Sequence, residues 1–490
     1  MAINLFEDYS MTWKPDIINS NKPIYITIAD QLENDIKTGI LSPGTKLPPQ
    51  RELANFLDVN LSTISRAFKL CSQKGLICAT IGNGTFVSSD VAANNFLLPD
   101  FNSSDIIDMG AMFPESESSD EIVVQMKKMI SEPNFGMLFK YGKPEGTVLQ
   151  RESIVKLIKK TGYETDIKNI LLASGGQNAI TAILAGLFKS GDRIGTDELT
   201  YPGVKTAANM LGIKLIPIKT KNYEITEEGL LFACKNENIK GLYLIPDYHN
   251  PTTHTMSIET RKMIGRIAEK ENLIIIEDAI LSLMNENPMK PIISYAPDNT
   301  IYISSASKIM APGLRLAFVV VPDTYKKALS IALYNLNISI SSLMIEIASR
   351  IINFGIVDSI IEKKRISVRE QNNIIDSYLK GYTVLGDSEC IFRWLILPKK
   401  FSGESFEAKA YKAGVQVYSA ERFIVGNAKP MAAVRLSATA PGNNEKLKEA
   451  MKILRNLLEE WGIKYCLMNS YFPKIKKLQN YKFCKNFTPI

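Results

Sequence analysis

The sequence predicts a two-part α/β protein: a small N-terminal helical unit ending in a β-hairpin, then a large layered domain with a mainly parallel central sheet and a smaller C-terminal lobe. Three observations carry this. The chain has 490 residues, too many for one ordinary core and enough for a small domain beside a large one. Three short helical patterns and an alternating Gly-containing segment fill residues 24–87. From residue 121 onward short apolar runs alternate with helical patterns, the rhythm of crossover connections between parallel strands.

Each element has its own signal. Residues 24–38 carry Ile28, Leu32 and Ile36 at four-residue spacing, an amphipathic helix closed by Gly39. Residues 41–47 read as a turn. Two further helices are expected over 49–57 and 61–74, separated by Asp58-Val59-Asn60 and closed by Gly75. Residues 77–87 alternate apolar and small side chains around Gly82-Asn83-Gly84, as a hairpin does. Residues 88–120 are rich in Ser, Asn, Asp and Glu and contain Pro99 and Pro114, the composition of a linker. The expected boundaries are therefore a first domain at 22–89, a linker at 90–120 and a large domain at 121–460. Strands are predicted at 169–173, 241–245, 273–277, 300–304 and 316–321, with a smaller lobe over 388–458. The aromatic, lysine-rich tail 465–490 has no assigned role.

Composition excludes several classes. Six scattered cysteines without a CxxC pair, and only His249 and His254 as imidazoles, argue against a zinc site or a disulfide framework. No apolar run approaches a membrane span, and residues 1–21 lack a signal-peptide pattern, so a cytoplasmic location is expected. The net charge of +7 does not argue for nucleic acid, because residues 1–90 hold eight Lys/Arg against nine Asp/Glu.

The local pattern is more informative. Two short helices at a tight turn, followed by a hairpin, place the second helix in the major groove of DNA. Asn60, Ser62 and Thr63 stand at the start of that helix, Arg66 lies one turn on, and Arg51 sits in the preceding helix. These residue types donate to phosphates or base edges, and Gly82 and Asn83 at the hairpin tip join them as candidate DNA contacts. Asn60 or Ser62 serves equally well as a helix cap, and Arg51 as a solvated charge.

A second cluster suggests cofactor chemistry. Ile303-Ser-Ser-Ala-Ser-Lys308 continues to Arg315, offering an amine for a Schiff base and partners for a phosphate. Asp278 lies at a predicted strand end, where a carboxylate can pair with a protonated pyridine nitrogen. Asn250 could donate to a ring hydroxyl. Ser174-Gly175-Gly176-Gln177 sits between a strand and a helix and could cradle a phosphate, and Tyr201 could stack on a ring. The plainer alternatives are a helix cap at Asp278, a simple turn at Gly175-Gly176 and a core role for Tyr201.

Pro23-Ile24-Tyr25, Gly39-Ile-Leu-Ser-Pro-Gly44, Lys46-Leu-Pro-Pro-Gln-Arg-Glu-Leu-Ala54, Lys74-Gly75-Leu76 and Gly82-Asn-Gly-Thr-Phe-Val87 fall in the order of the GntR-family winged helix-turn-helix, which residues 22–89 resemble. The resemblance implies DNA contact by Arg51 and by residues 60–63. Leu61 departs from it, standing where relatives often carry a basic residue.

Residues 120–458 resemble fold type I pyridoxal-phosphate enzymes, in particular the aminotransferase-like domain of MocR regulators. That resemblance implies pyridoxal 5′-phosphate held as an aldimine on Lys308, Asp278 against the pyridine nitrogen and Asn250 against the ring oxygen. It implies a phosphate site of Gly175, Gly176, Gln177, Ser305, Ser307 and Arg315. Tyr141 would reach the phosphate of a partner subunit in a homodimer, and Arg435 would grip a substrate or effector carboxylate. Two departures concern catalysis: Asp278 is followed by Ala279-Ile280-Leu281 where relatives carry a tyrosine, and Asn250-Pro-Thr-Thr253 replaces Asn-Pro-Thr-Gly.

The resulting expectation is a DNA-binding regulator that senses a small amine, an amino acid or the cofactor itself. Its rivals are a working aminotransferase with an accessory DNA domain and a dimeric DNA-binding protein with an inert scaffold.

Overall fold

A computed structural model gives the fold and describes residues 11–15, 22–38, 40–41, 44–80, 84–88, 106–111, 119–143, 145–398, 401–426, 428 and 431–471. The first unit has helices Ile24–Lys37, Gln50–Phe56 and Leu61–Gln73. Each agrees with its expected span to within a residue at either end. An antiparallel hairpin follows, with Ile77 opposite Val87 and Thr80 opposite Gly84. Gly75 sits at φ +70, a left-handed turn that ends the third helix and lets Leu76 N–H donate back to the Cys71 carbonyl at 2.9 Å.

Ile28, Leu32, Leu53, Ile64 and Phe68 meet in the core of this unit, each contributing about 1.5–3 kcal/mol by leaving water. Trp13 joins them from before the expected start at 22, donating from Nε1 to Asp35 Oδ2 at 2.8 Å. No periodic neighbours announce it in the sequence. Gly82 and Asn83 lie outside the described residues.

The large domain is built on a central sheet. Among the described residues seven strands run in the order Ile170–Ala173, Ala317–Val320, Thr300–Ser305, Ile274–Asp278, Gly241–Leu244, Arg193–Asp197, Lys214–Ile218. All are parallel except Ala317–Val320, which is antiparallel to both neighbours. The sheet is buried on both faces, Leu172 and Phe318 on one and Leu171 and Val319 on the other, so even the margin strand Ile170–Ala173 reads, with its neighbour, as a continuous apolar run. The strands Arg193–Asp197 and Lys214–Ile218 were not among those predicted. Lys214–Ile218 forms one edge of the sheet and carries Pro217, which an edge tolerates, while Arg193–Asp197, paired on both sides, has its apolar run broken by Arg193 and Asp197 at its ends.

The span read as linker is partly folded. Ile107–Asp108 pairs in parallel with Val415–Gln416, and helix Ser119–Ile130 begins before 121. A two-residue strand in a polar stretch gives no periodic signal in the sequence. The smaller lobe carries strands Thr383–Leu385, Phe392–Ile396, Ala433–Ser437 and Tyr418–Ser419 in that order. Its last helix, Asn444–Tyr471, runs into the span assigned to the tail, and 472–490 lie outside the described residues. No helix among the described residues is long and apolar enough to cross a membrane.

Candidate functional site

The C-terminal ends of the central strands converge with the smaller lobe on one cluster. Strand Ile170–Ala173 leads into Gly175, which precedes helix Gly176–Leu187 at φ +92. A Cβ there would stand 2.6 Å from Arg315 Nη2, so only glycine lets the arginine approach this helix N-terminus, where backbone N–H groups favour an anion. Arg315 itself adopts φ +47. Ser305 Oγ donates to the Leu316 carbonyl at 3.0 Å and accepts from Ser307 N–H at 3.1 Å, fixing the turn that carries Lys308.

Lys364, from helix Ile356–Tyr378, closes the same turn by donating from Nζ to the carbonyls of Met310 at 2.8 Å and Lys308 at 3.3 Å. Desolvation and the charges of Arg435, Arg315 and Lys364 push the Lys308 amine down to about 8, against the pull of Asp278.

Asp278 ends strand Ile274–Asp278 and is buried. Its Oδ2 accepts from the Tyr243 phenol at 2.6 Å. Burial raises its carboxyl to about 6, with Tyr243, the Ile280 backbone N–H and Lys308 pulling the other way. Tyr201 precedes helix Pro202–Met210, and burial and Asp278 lift its phenol to about 12.

Arg435, on strand Ala433–Ser437, donates from Nη1 to Asn250 Oδ1 at 2.6 Å and from Nη2 to the Gly110 carbonyl. Its guanidinium carbon lies 5.0 Å from the Phe423 ring centroid and 5.4 Å from that of Tyr418. Gly110 is needed there because a Cβ would fall 2.4 Å from the Tyr418 ring.

Lys308, Asp278, Asn250, Tyr201, Gly175, Gln177, Ser305, Ser307, Arg315 and Arg435 thus belong to one site. Tyr141 does not: it is 84% exposed on the surface of its own chain. Arg51, Asn60, Ser62 and Arg66 are exposed and Thr63 is partly so. Asn60 caps the third helix, its side chain accepting from Ser62 N–H at 2.8 Å. Tyr243, Lys364 and Gly110 escaped the sequence reading because each lies outside any motif: one in a strand core, one in a long helix, one in the stretch read as linker.

Residues 104–454 match the aminotransferase class I and II family, and residues 24–87 match the bacterial regulatory proteins of the gntR family. The HTH-type transcriptional regulator YdeF of Bacillus subtilis is 52% identical over 460 residues, 94% of this chain and 100% of its own. The chain belongs to the MocR-type GntR regulators.

In this MocR-type protein the winged helix-turn-helix makes a DNA-binding transcription regulator, and the large domain has the fold of an aminotransferase. Kynurenine aminotransferase of Pyrococcus horikoshii superposes with a TM-score of 0.66 at 24% identity, over 73% of this chain and 92% of that one. A multiple substrate aminotransferase from Thermococcus profundus gives 0.67 at 21%, over 76% and 98%. At these identities the likeness speaks for the fold alone.

Pyridoxal 5′-phosphate is the cofactor this domain family implies, and the residues present fit it. Asp278 Oδ1, Ser307 Oγ, Gln177 Oε1 and Arg435 Nε are buried without a hydrogen-bond partner, an arrangement that usually signals groups kept for a ligand. Arg315, Lys364 and Arg435 all act on Lys308, with Asp278 opposing them, a basic environment suited to a phosphate.

Proposed function

We propose that this regulator binds pyridoxal 5′-phosphate covalently through Lys308 and senses a small amine or amino acid at that position. The observation that carries the reading is that buried Lys308 sits within electrostatic reach of the Asp278 carboxylate and of the guanidiniums of Arg315 and Arg435, on the turn fixed by Ser305. When bound, the cofactor supplies an electrophilic carbon for amines and an electron-withdrawing ring.

The protein groups divide the rest of the work. Gly175, Gly176, Gln177, Ser305, Ser307 and Arg315 bind the phosphate, and Tyr201 stacks on the ring. Asp278 holds a proton on the ring nitrogen through Oδ1. Asn250, whose Oδ1 is engaged by Arg435, turns its amide N–H groups toward the ring oxygen. Arg435 orients an effector carboxylate. With Ala279-Ile280-Leu281 following Asp278 where relatives carry a tyrosine, no phenol reaches the ring oxygen from that stretch, which favours a sensor over a fast transaminase.

At the other end, Arg51 and Arg66 bind phosphates or bases, Asn60, Ser62 and Thr63 present the helix start to the groove, and Gly82 and Asn83 add DNA contacts. Tyr141 crosses to the cofactor phosphate of a second subunit, and the exposed apolar side chains near it in sequence, Met137, Phe139, Val148 and Leu149, are available to a homodimer contact. The segment between the domains passes the state of the cofactor site to the DNA-binding units.

The test is visible absorbance of the full-length protein with added pyridoxal 5′-phosphate. The parent protein shows a band that Lys308→Ala abolishes; an unchanged band in the variant removes the covalent assignment.

A further inference from the structure

We infer that Tyr243 is a positioning residue for the cofactor: its phenol holds one oxygen of Asp278 so that the other, still ionised, faces the ring nitrogen. This rests on the reading of Asp278 proposed above and adds to it a residue that no motif marks.

The geometry comes from two adjacent strands. Gly241–Leu244 lies parallel to Ile274–Asp278 with Tyr243 beside Ile276, so a long side chain on the first reaches the end of the second. Tyr243 is fully buried and spends its single proton on Asp278 Oδ2 at 2.6 Å. Oδ1 remains buried without a partner. The two oxygens are therefore unequal: one is engaged by the protein and the other is left for a ligand.

The consequence is electrostatic. A carboxylate sealed from water tends to take up a proton, and each donor to its charged form opposes that tendency. The groups facing Asp278 are the Tyr243 phenol from the neighbouring strand, the Ile280 N–H from its own chain end, Lys308 from the turn and Tyr201 from the helix start. Among the described residues Tyr243 alone gives Asp278 a side-chain hydrogen bond. Without it Asp278 takes up a proton at higher pH, and a neutral acid cannot keep a proton on the ring nitrogen. In this chain, where Ala279-Ile280-Leu281 carries no tyrosine, the phenol that tunes the ring reaches it through Asp278.

The experiment follows the visible absorbance of cofactor-loaded full-length protein over a pH series in the parent, Tyr243→Phe and Asp278→Asn. A ring that has lost its nitrogen-bound proton withdraws fewer electrons and leaves the Lys308 nitrogen more basic. The absorbance midpoint is therefore expected to rise in Asp278→Asn, and in Tyr243→Phe by about one pH unit, the scale of one hydrogen bond to a charged group. Replacing Tyr243 by 3-fluorotyrosine keeps the ring and strengthens the donor, so the midpoint is expected to fall.

A midpoint that moves in Asp278→Asn but stays at the parent value in both position-243 variants overturns the role of Tyr243 while leaving the reading of Asp278 intact. A parent protein with no cofactor band overturns that earlier reading, and this inference with it.

Discussion

Arg435 and Asn250, 185 positions apart in the chain, are joined by a 2.6 Å hydrogen bond from Nη1 to Oδ1. The bond ties the smaller lobe to the loop after strand Gly241–Leu244, and with the Gly110 carbonyl on Nη2 it fixes the plane of the guanidinium. Arg435→Met removes the cation and leaves two buried acceptors without their donor. For an amino acid bound to the loaded protein the expected loss is about 2–5 kcal/mol, the range for truncating one member of a buried charged pair, while an amine without a carboxylate loses little. Calorimetry with both ligand types checks this; equal losses would show that Arg435 shapes the site without gripping a carboxylate.

Lys308 gives a pH prediction with a definite sign. Its amine is lowered from 10.5 to about 8, so in the folded protein the neutral, nucleophilic form already dominates above about 8. The rate at which cofactor-free protein takes up pyridoxal 5′-phosphate should rise with pH through about 8 and then level off. A rate still climbing toward 10.5 would mark Lys308 as an ordinary solvated lysine.

Two residues of the first unit should separate by what they affect. Asn60 caps the third helix, so Asn60→Ala should cost about 1 kcal/mol of stability, seen in thermal unfolding. Arg51 is exposed; Arg51→Ala should leave unfolding unchanged, weaken DNA binding and reduce the salt slope by about one phosphate contact. An unchanged slope would place Arg51 off the DNA.

Tyr141, exposed on its own chain, allows a complementation test. If it completes the partner's site, Tyr141→Ala and Lys308→Ala each bind cofactor poorly, yet a mixed dimer has one site with both residues intact. Mixing and refolding the two variants should restore tight binding at that site. Failure to restore it would place Tyr141 outside the cofactor site.

The sequence was legible where chemistry and periodicity coincide. Lys308, Asp278 and Gly175 stand at strand ends inside recognisable strings, and the three helices of the first unit announce themselves by spacing and by Gly75. Contacts made across the fold were not legible. Tyr243 reads as one more apolar strand residue, and its hydroxyl acquires meaning only when the neighbouring strand brings Asp278 to it. Gly110 and Ile107 sat in polar composition that hid a two-residue strand. Trp13 had no periodic company, although its indole is sealed by Asp35.

The central claim is that occupancy of the Lys308 site governs DNA binding by the first unit. Titrating amino acids and simple amines into cofactor-loaded protein, with absorbance and affinity for a bound DNA fragment read from the same samples, tests it most directly. The account predicts that one compound changes both signals with a shared midpoint, and that Lys308→Ala removes both responses. DNA affinity that stays constant while the absorbance band converts fully would contradict it.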